Sequence, residues 1–115
     1  MEKLRVWWMP QVGTDATFYV PVETPEEAKK VMTILAAYDG FQYESRIKPD
    51  YANTGGLERR DESENEWFDW YYETDTDYFD DVEEYCESDC CNQKEELEAF
   101  STAVLANWFD IRKDT

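Results

Sequence analysis

Residues 3–40 read KLRVWWMPQVGTDATFYVPVETPEEAKKVMTILAAYDG, and a change of period inside this stretch decides the fold. From Lys3 to Pro10 the side chains alternate, Leu4, Val6 and Trp8 against Arg5, Trp7 and Met9, a period of two in strand-forming residues. Thr17 to Val22 repeats the pattern, with Phe18, Val20 and Val22 on one face. A turn containing Gly13 and Asp15 joins the two runs, so a hairpin is predicted with Pro10 and Pro21 near strand ends. The period then lengthens. Thr24 is the expected N-cap, Pro25 the first helical residue, and Glu27 completes a capping box. Ala28, Val31, Met32, Leu35 and Tyr38 make one apolar stripe, and Gly40 supplies the predicted stop. Such a helix covers one face of a small sheet.

Beyond Gly40 the pattern is less regular. Phe41 to Ile47 reads as extended or irregular, and residues 48–56 (KPDYANTGG) carry the longest loop signal. Leu57 to Arg60 and Glu66 to Tyr72 suit a second hairpin around Asp61 to Asn65, and Thr74 to Asp77 reads as a turn. Tyr78, Phe79, Val82, Tyr85 and Cys86 fall at helical spacing, which predicts a short acidic helix from Asp77 to Asp89. Leu97, Phe100, Val104, Trp108 and Ile111 trace one face of a final helix over about four turns. The fold class expected is α+β: a small antiparallel sheet packed by two or three helices in a single domain.

The chain has 115 residues, of which 28 are acidic, 11 basic and none histidine, a formal charge of −17. No run approaches the roughly 18 apolar residues of a membrane span. The charge argues against unaided binding to nucleic acid or to an anionic membrane. Without histidine the chain lacks the commonest general base and the commonest metal ligand. Of the 28 acidic residues, 17 lie between Asp61 and Glu98, with Lys94 the one base among them. Residues 1–60 therefore form a near-neutral α+β body, 61–98 an acidic segment of the same domain, and 99–115 a C-terminal helix end. Trp67, Phe68, Trp70, Tyr71, Tyr72, Tyr78, Phe79 and Tyr85 all fall inside the acidic segment. Disordered acidic tails are poor in such residues, so the segment reads as a folded surface whose rings anchor it to the body.

Candidate chemistry is sparse. Cys86, Cys90 and Cys91 supply three thiols where a structural zinc site needs four ligands. Cys86 and Cys90 share a face if helical, and neighbouring carboxylates disfavour thiolates, so a reduced, partly buried cluster is expected. An EF-hand loop from Asp75 fails at positions five, six and twelve, occupied by Phe79, Asp80 and Cys86. Nonspecific divalent-ion binding is the most that is expected, and no cofactor is. Gly55-Gly56 is too short for a phosphate fingerprint. Arg46, Lys48, Arg59 and Arg60 surround the loop near Asn53; they suit pairing with acidic-segment carboxylates or, alternatively, an anionic ligand stacked on Tyr43 and Tyr51. Trp7 and Trp8 point to opposite faces, and an exposed Trp often marks a partner or subunit contact.

Seventeen carboxylates over 38 residues is one per 2.2 residues. On a helix this is about one charge per 3.4 Å, the spacing of phosphates along one DNA strand. A protein offering that array competes for a cationic groove without offering bases. Steering makes such binding fast, and salt weakens it.

Val6-Trp7-Trp8-Met9-Pro10-Gln11-Val12, Phe41-Gln42-Tyr43 and the run from Ile47-Lys48-Pro49-Asp50-Tyr51 through Asn53 to Gly55-Gly56-Leu57 resemble a group of small bacteriophage-encoded accessory proteins, over roughly residues 3 to 70. The resemblance implies a phage origin and action in the host bacterial cytoplasm, and brings no catalytic residue. Small acidic phage proteins are, as a class, often stoichiometric inhibitors of host defence, and anti-CRISPR and anti-restriction proteins that imitate DNA are the nearest analogy. The expectation is a non-enzymatic inhibitor that presents Asp69, Glu73, Asp77, Asp80, Asp81, Glu83, Glu84 and Glu87 to the nucleic-acid-binding groove of a host defence protein or complex. The alternative is an oligomeric sponge for a defence nucleotide signal, with Arg46, Lys48, Asn53, Arg59 and Arg60 holding phosphates.

Overall fold

A computed structural model describes residues 3–11, 16–46 and 53–113, with side chains described as far as Ala106. The expected turn at Gly13 and Asp15, the positions of Ile47, Lys48 and Tyr51, and the side chains of Trp108 and Ile111 lie outside the described residues.

The α+β class is observed. Strands β1 (Leu4–Met9), β2 (Phe18–Val22), β3 (Thr54–Asp61) and β4 (Glu66–Asp69) form one antiparallel sheet in the order β2-β1-β3-β4. Helix α1 (Pro25–Glu44) separates β2 from β3; β5 (Tyr72–Glu73) and β6 (Tyr78–Phe79) form a separate two-stranded ribbon; α2 (Val82–Glu87) and α3 (Lys94–Lys113) follow. Among the described residues no helix is long and apolar enough to cross a membrane.

The alternation in β1 orients the sheet. Leu4, Val6 and Trp8 are buried, while Arg5, Trp7 and Met9 are only partly covered on the opposite face. Val22 and Leu57 join the buried face, and Ala28, Val82 and Leu97 from the three helices close over it. Phe18, placed with Val20 and Val22, stands at the edge and is exposed. Beneath Trp8 the backbone of Gly55 lies so close that a Cβ there would fall within contact of the indole, at Cε3, and 2.8 Å from the Trp7 carbonyl. A Cβ on Gly56 would stand 2.8 Å from Trp7 Nε1 on the other face. The two glycines are seats for two tryptophans.

Helix α1 begins as read. Thr24 Oγ1 accepts from the Glu27 amide at 3.0 Å, and Pro25 opens the first turn. Its end differs. Gly40 is buried inside the helix, which runs four residues further to a cap at Ser45, with Arg46 in the left-handed region at φ 62°. Residues 41–44, read as irregular, are its last turn. Tyr38 is more than half exposed, and Asp39 takes the next place along the apolar stripe. The Asp39 carboxylate accepts Trp8 Nε1–H at 2.8 Å and Asn53 Nδ2–H at 2.9 Å, fixing this end of α1 to the sheet. Those tertiary bonds outweigh the roughly 1 kcal/mol that an interior glycine costs a helix.

The second hairpin is present, closed over residues 62–65 with Asn65 at φ 56°. The helix expected over 77–89 is only Val82–Glu87. Tyr78 and Phe79 belong to a strand, and Cys90 lies in a turn, so Cys86 and Cys90 do not share a helix face. Strand β3 and helix α3 run across the charge boundaries at 60 and 98.

Candidate functional site

Tyr85 holds the acidic region in place. Trp70 meets its ring edge-on with centroids 5.6 Å apart, Tyr72 lies at 4.8 Å and Phe79 at 6.1 Å. These rings reach the ribbon β5–β6, the end of β4 and helix α2, so one cluster fixes three short elements. The Tyr85 hydroxyl donates to Glu26 Oε1 on α1 at 3.2 Å, and Cys91 Sγ approaches the same oxygen at 3.9 Å. Burial first, then the Glu26 charge, pushes the Tyr85 phenol far above its usual range. The ribbon turn is closed by the Thr74 amide donating to Asp77 O at 2.8 Å, and Thr74 Oγ1 accepts from the Asp77 amide at 3.0 Å.

On this frame the eight expected carboxylates are all exposed: Asp69 on β4, Glu73 on β5, Asp77 and Asp80 flanking β6, and Asp81, Glu83, Glu84 and Glu87 along α2. Two have structural duties. Asp81 caps α2 by accepting from the amides of Glu83 (2.8 Å) and Glu84 (3.2 Å), and Glu83 lies 3.6 Å from Lys29 Nζ. The helical phosphate-spacing comparison applies to 82–87 and 94–98 alone, because the remainder of the segment is strand and turn. The array is a folded patch and not a charged rod.

Among the described residues Arg46, Arg59 and Arg60, expected to pair with the segment's carboxylates, form no ion pair with them; Arg59 and Arg60 meet its rings and one amide instead. Among the described residues the ion pairs are Lys3–Glu62 (3.7 Å), Arg5–Glu58 (2.8 Å) and Lys29–Glu83 (3.6 Å). Arg60 donates to Asn65 and lies over Trp67, Arg59 approaches Phe68 and Tyr71, and Arg46 is exposed. Arg59 acts on the segment's charge only at its first carboxylate, where, after the hydrogen bond from Ser63, its field helps lower the pKa of Asp61. Nor do these residues converge on a ligand: Asn53 is bound to Asp39, and Arg59 and Arg60 lie at the far end of β3, roughly 20 Å along the strand, on opposite faces. Lys48 is outside the described residues.

The thiols are free, Cys86 and Cys91 buried and Cys90 partly so. Burial, with Cys91 and Glu26 adding to it, pushes the Cys86 thiol up to about 12, so it is neutral and unreactive at ordinary pH. Among the described residues no group of three or more Cys, Asp or Glu is arranged to hold a metal ion.

Two features escaped sequence reasoning. One is Asp39, whose signal was a carboxylate on an apolar stripe. The other is a cavity of about 400 Å³ on the partly covered side of the sheet, bounded by Trp7, Gly56, Asp69, Tyr71, Tyr78 and Asp80. A larger cavity of about 810 Å³ lies at the other end of β3, where Arg59, whose Nε is buried without a hydrogen-bond acceptor, meets Tyr72, Glu73 and Asp75.

Residues 3–91 match a family model described as superinfection exclusion gene product 17. A superinfection exclusion protein of Salmonella phage P22 is 44% identical over 97 residues, covering 75% of this chain and 91% of that protein. No solved structure matches.

Proposed function

The chain belongs to the superinfection exclusion gene product 17 family, and from that premise we propose that this phage-encoded protein acts against other phages by stoichiometric binding, without catalysis. Its acidic face occupies the cationic nucleic-acid-binding groove of a protein or complex that acts during superinfection. A groove of a host defence complex, the target of anti-CRISPR and anti-restriction proteins, has the same chemistry and is the alternative target class. The observation that carries the reading is the exposure of all eight carboxylates on elements pinned by the Tyr85 ring cluster. Fixed charges lose less entropy on binding than charges on a flexible tail, and they steer a basic partner from a distance.

The test is an exclusion assay. Cells producing the protein are challenged with a second phage, and plating efficiency is compared with a quadruple variant, Glu73→Lys, Asp77→Lys, Glu84→Lys and Glu87→Lys. These positions spare the Asp81 cap and the Glu83–Lys29 pair. The reading expects exclusion to disappear in the variant while its circular dichroism and melting stay native. Exclusion that survives the reversal contradicts it.

A further inference from the structure

The outer face of the sheet shows how this protein treats an arginine. Arg5 Nε donates to Glu58 at 2.8 Å, and its guanidinium carbon lies over two rings, Tyr19 at 3.9 Å and Trp67 at 4.2 Å from the centroids. Two rings and one carboxylate satisfy a planar cation by stacking and charge-assisted hydrogen bonding. Glu58 is paired across the strands with Asp69, so the next carboxylate in the same row belongs to the 400 Å³ cavity.

That cavity offers the same materials. Trp7, Tyr71 and Tyr78 supply ring surface, Asp69 and Asp80 supply carboxylates, and no lining residue is basic. Tyr71 and Tyr78 stack on each other with centroids 6.0 Å apart, and Tyr78 is 59% exposed. Arg59 already approaches the Tyr71 ring at 5.2 Å, so the ring surface left for an incoming cation is that of Trp7 and Tyr78. Gly55 and Gly56 form the floor. Strand β4 pairs with β3 only over 58–61, extended by the Trp70 amide donating to Leu57 O. The β3 backbone at the glycines therefore has β1 on one side and the cavity on the other, with the Trp7 ring seated over Gly56.

We propose that this cavity is a socket for a single arginine side chain of the protein partner. The inference rests on the acidic-face reading above and deepens it: distributed carboxylates give attraction and speed, while the socket gives register. Arginine fits better than lysine because its planar fork stacks on a ring and meets two carboxylates at once, where an ammonium is a hydrated point charge. A nucleotide is the wrong occupant, since two carboxylates repel phosphate.

The test titrates the full chain with a short capped peptide carrying one arginine in a glycine–serine background, and with its lysine counterpart, read by NMR at the Trp7 indole and the Tyr78 ring. The socket predicts saturable shifts at these two rings, affinity at least about fivefold weaker for lysine, and about tenfold weaker for Asp69→Asn/Asp80→Asn. The Glu84→Lys/Glu87→Lys variant, on α2 outside the cavity lining, should change this single-arginine affinity less than threefold. Equal shifts on α2, equal affinity for both peptides, or no shift at Trp7 overturns the socket. The same variants in the exclusion assay separate the two readings. If Asp69→Asn/Asp80→Asn excludes normally while the four-site reversal does not, the socket fails and the acidic face stands. If the four-site reversal also excludes normally, the acidic face fails.

Discussion

Helix α1 receives both halves of the molecule, and by the same device. Near its C-terminal end the body is tied down by Trp8, whose indole N–H donates to Asp39. Near its N-terminal end the acidic half is tied down by Tyr85, whose hydroxyl donates to Glu26. The two ties differ in what surrounds them. Trp8 lies in a four-stranded sheet over Gly55, and its carboxylate is buried and also receives Asn53. Tyr85 stands among elements of two to six residues that have little hydrogen bonding of their own. The body is built on a ladder and then locked. The acidic half has the lock in place of the ladder, because its charge density excludes a larger core.

The largest expected effect breaks the weaker side. Tyr85→Ala removes the ring that touches Trp70, Tyr72 and Phe79, and is expected to cost about 4 kcal/mol, as for other buried aromatic truncations. Urea unfolding should show the loss, and the ribbon and α2 should lose protection first. Gly55→Val tests the stronger side: the new side chain must displace Trp8, for about 3 kcal/mol and a red-shifted tryptophan emission. Asp39→Ala leaves two inward-facing donors without their acceptor, for about 2 kcal/mol by the same assay. Tyr85→Phe keeps the rings and removes only the bond to Glu26, for about 1 kcal/mol. If that variant matched Tyr85→Ala, the bond and not the packing would hold the acidic half.

Cys86 and Tyr85 both have acid groups raised in the folded state, so the unfolded chain releases protons first as pH rises. Their contribution to stability is complete below about pH 8.5, the ordinary thiol value, and is lost progressively above it, Cys86 reaching its folded limit near 12. Melting temperature should fall through this window, and more shallowly in Cys86→Ala. A flat profile would show that the thiol is not buried.

What the sequence made legible follows the range of the forces involved. The capping box, the period-two strands and the Thr74–Asp77 turn are local, and each was readable. The continuation of α1 past Gly40 was not, because it depends on Asp39 meeting Trp8, 31 residues away. Helical spacing of Tyr78, Phe79 and Val82 misled because those positions also suit a strand followed by a cap, and Asp81 supplies that cap. The exposed carboxylates were identified from composition, since charge seeks water wherever the chain leads. The cavity was invisible: it needs Trp7, Asp69 and Tyr78 from three separate strands and the place where β4 ends.

Hydrogen exchange tests the fixed acidic array most directly. The amides of Trp70 and Tyr85, which donate to Leu57 O and Asp81 O, should exchange about a thousandfold slower than an unfolded chain, as should the amide of Val6 in the central strand β1. Exchange of Trp70 and Tyr85 at unfolded-chain rates, with Val6 still protected, would contradict the account and leave the carboxylates on a loose tail.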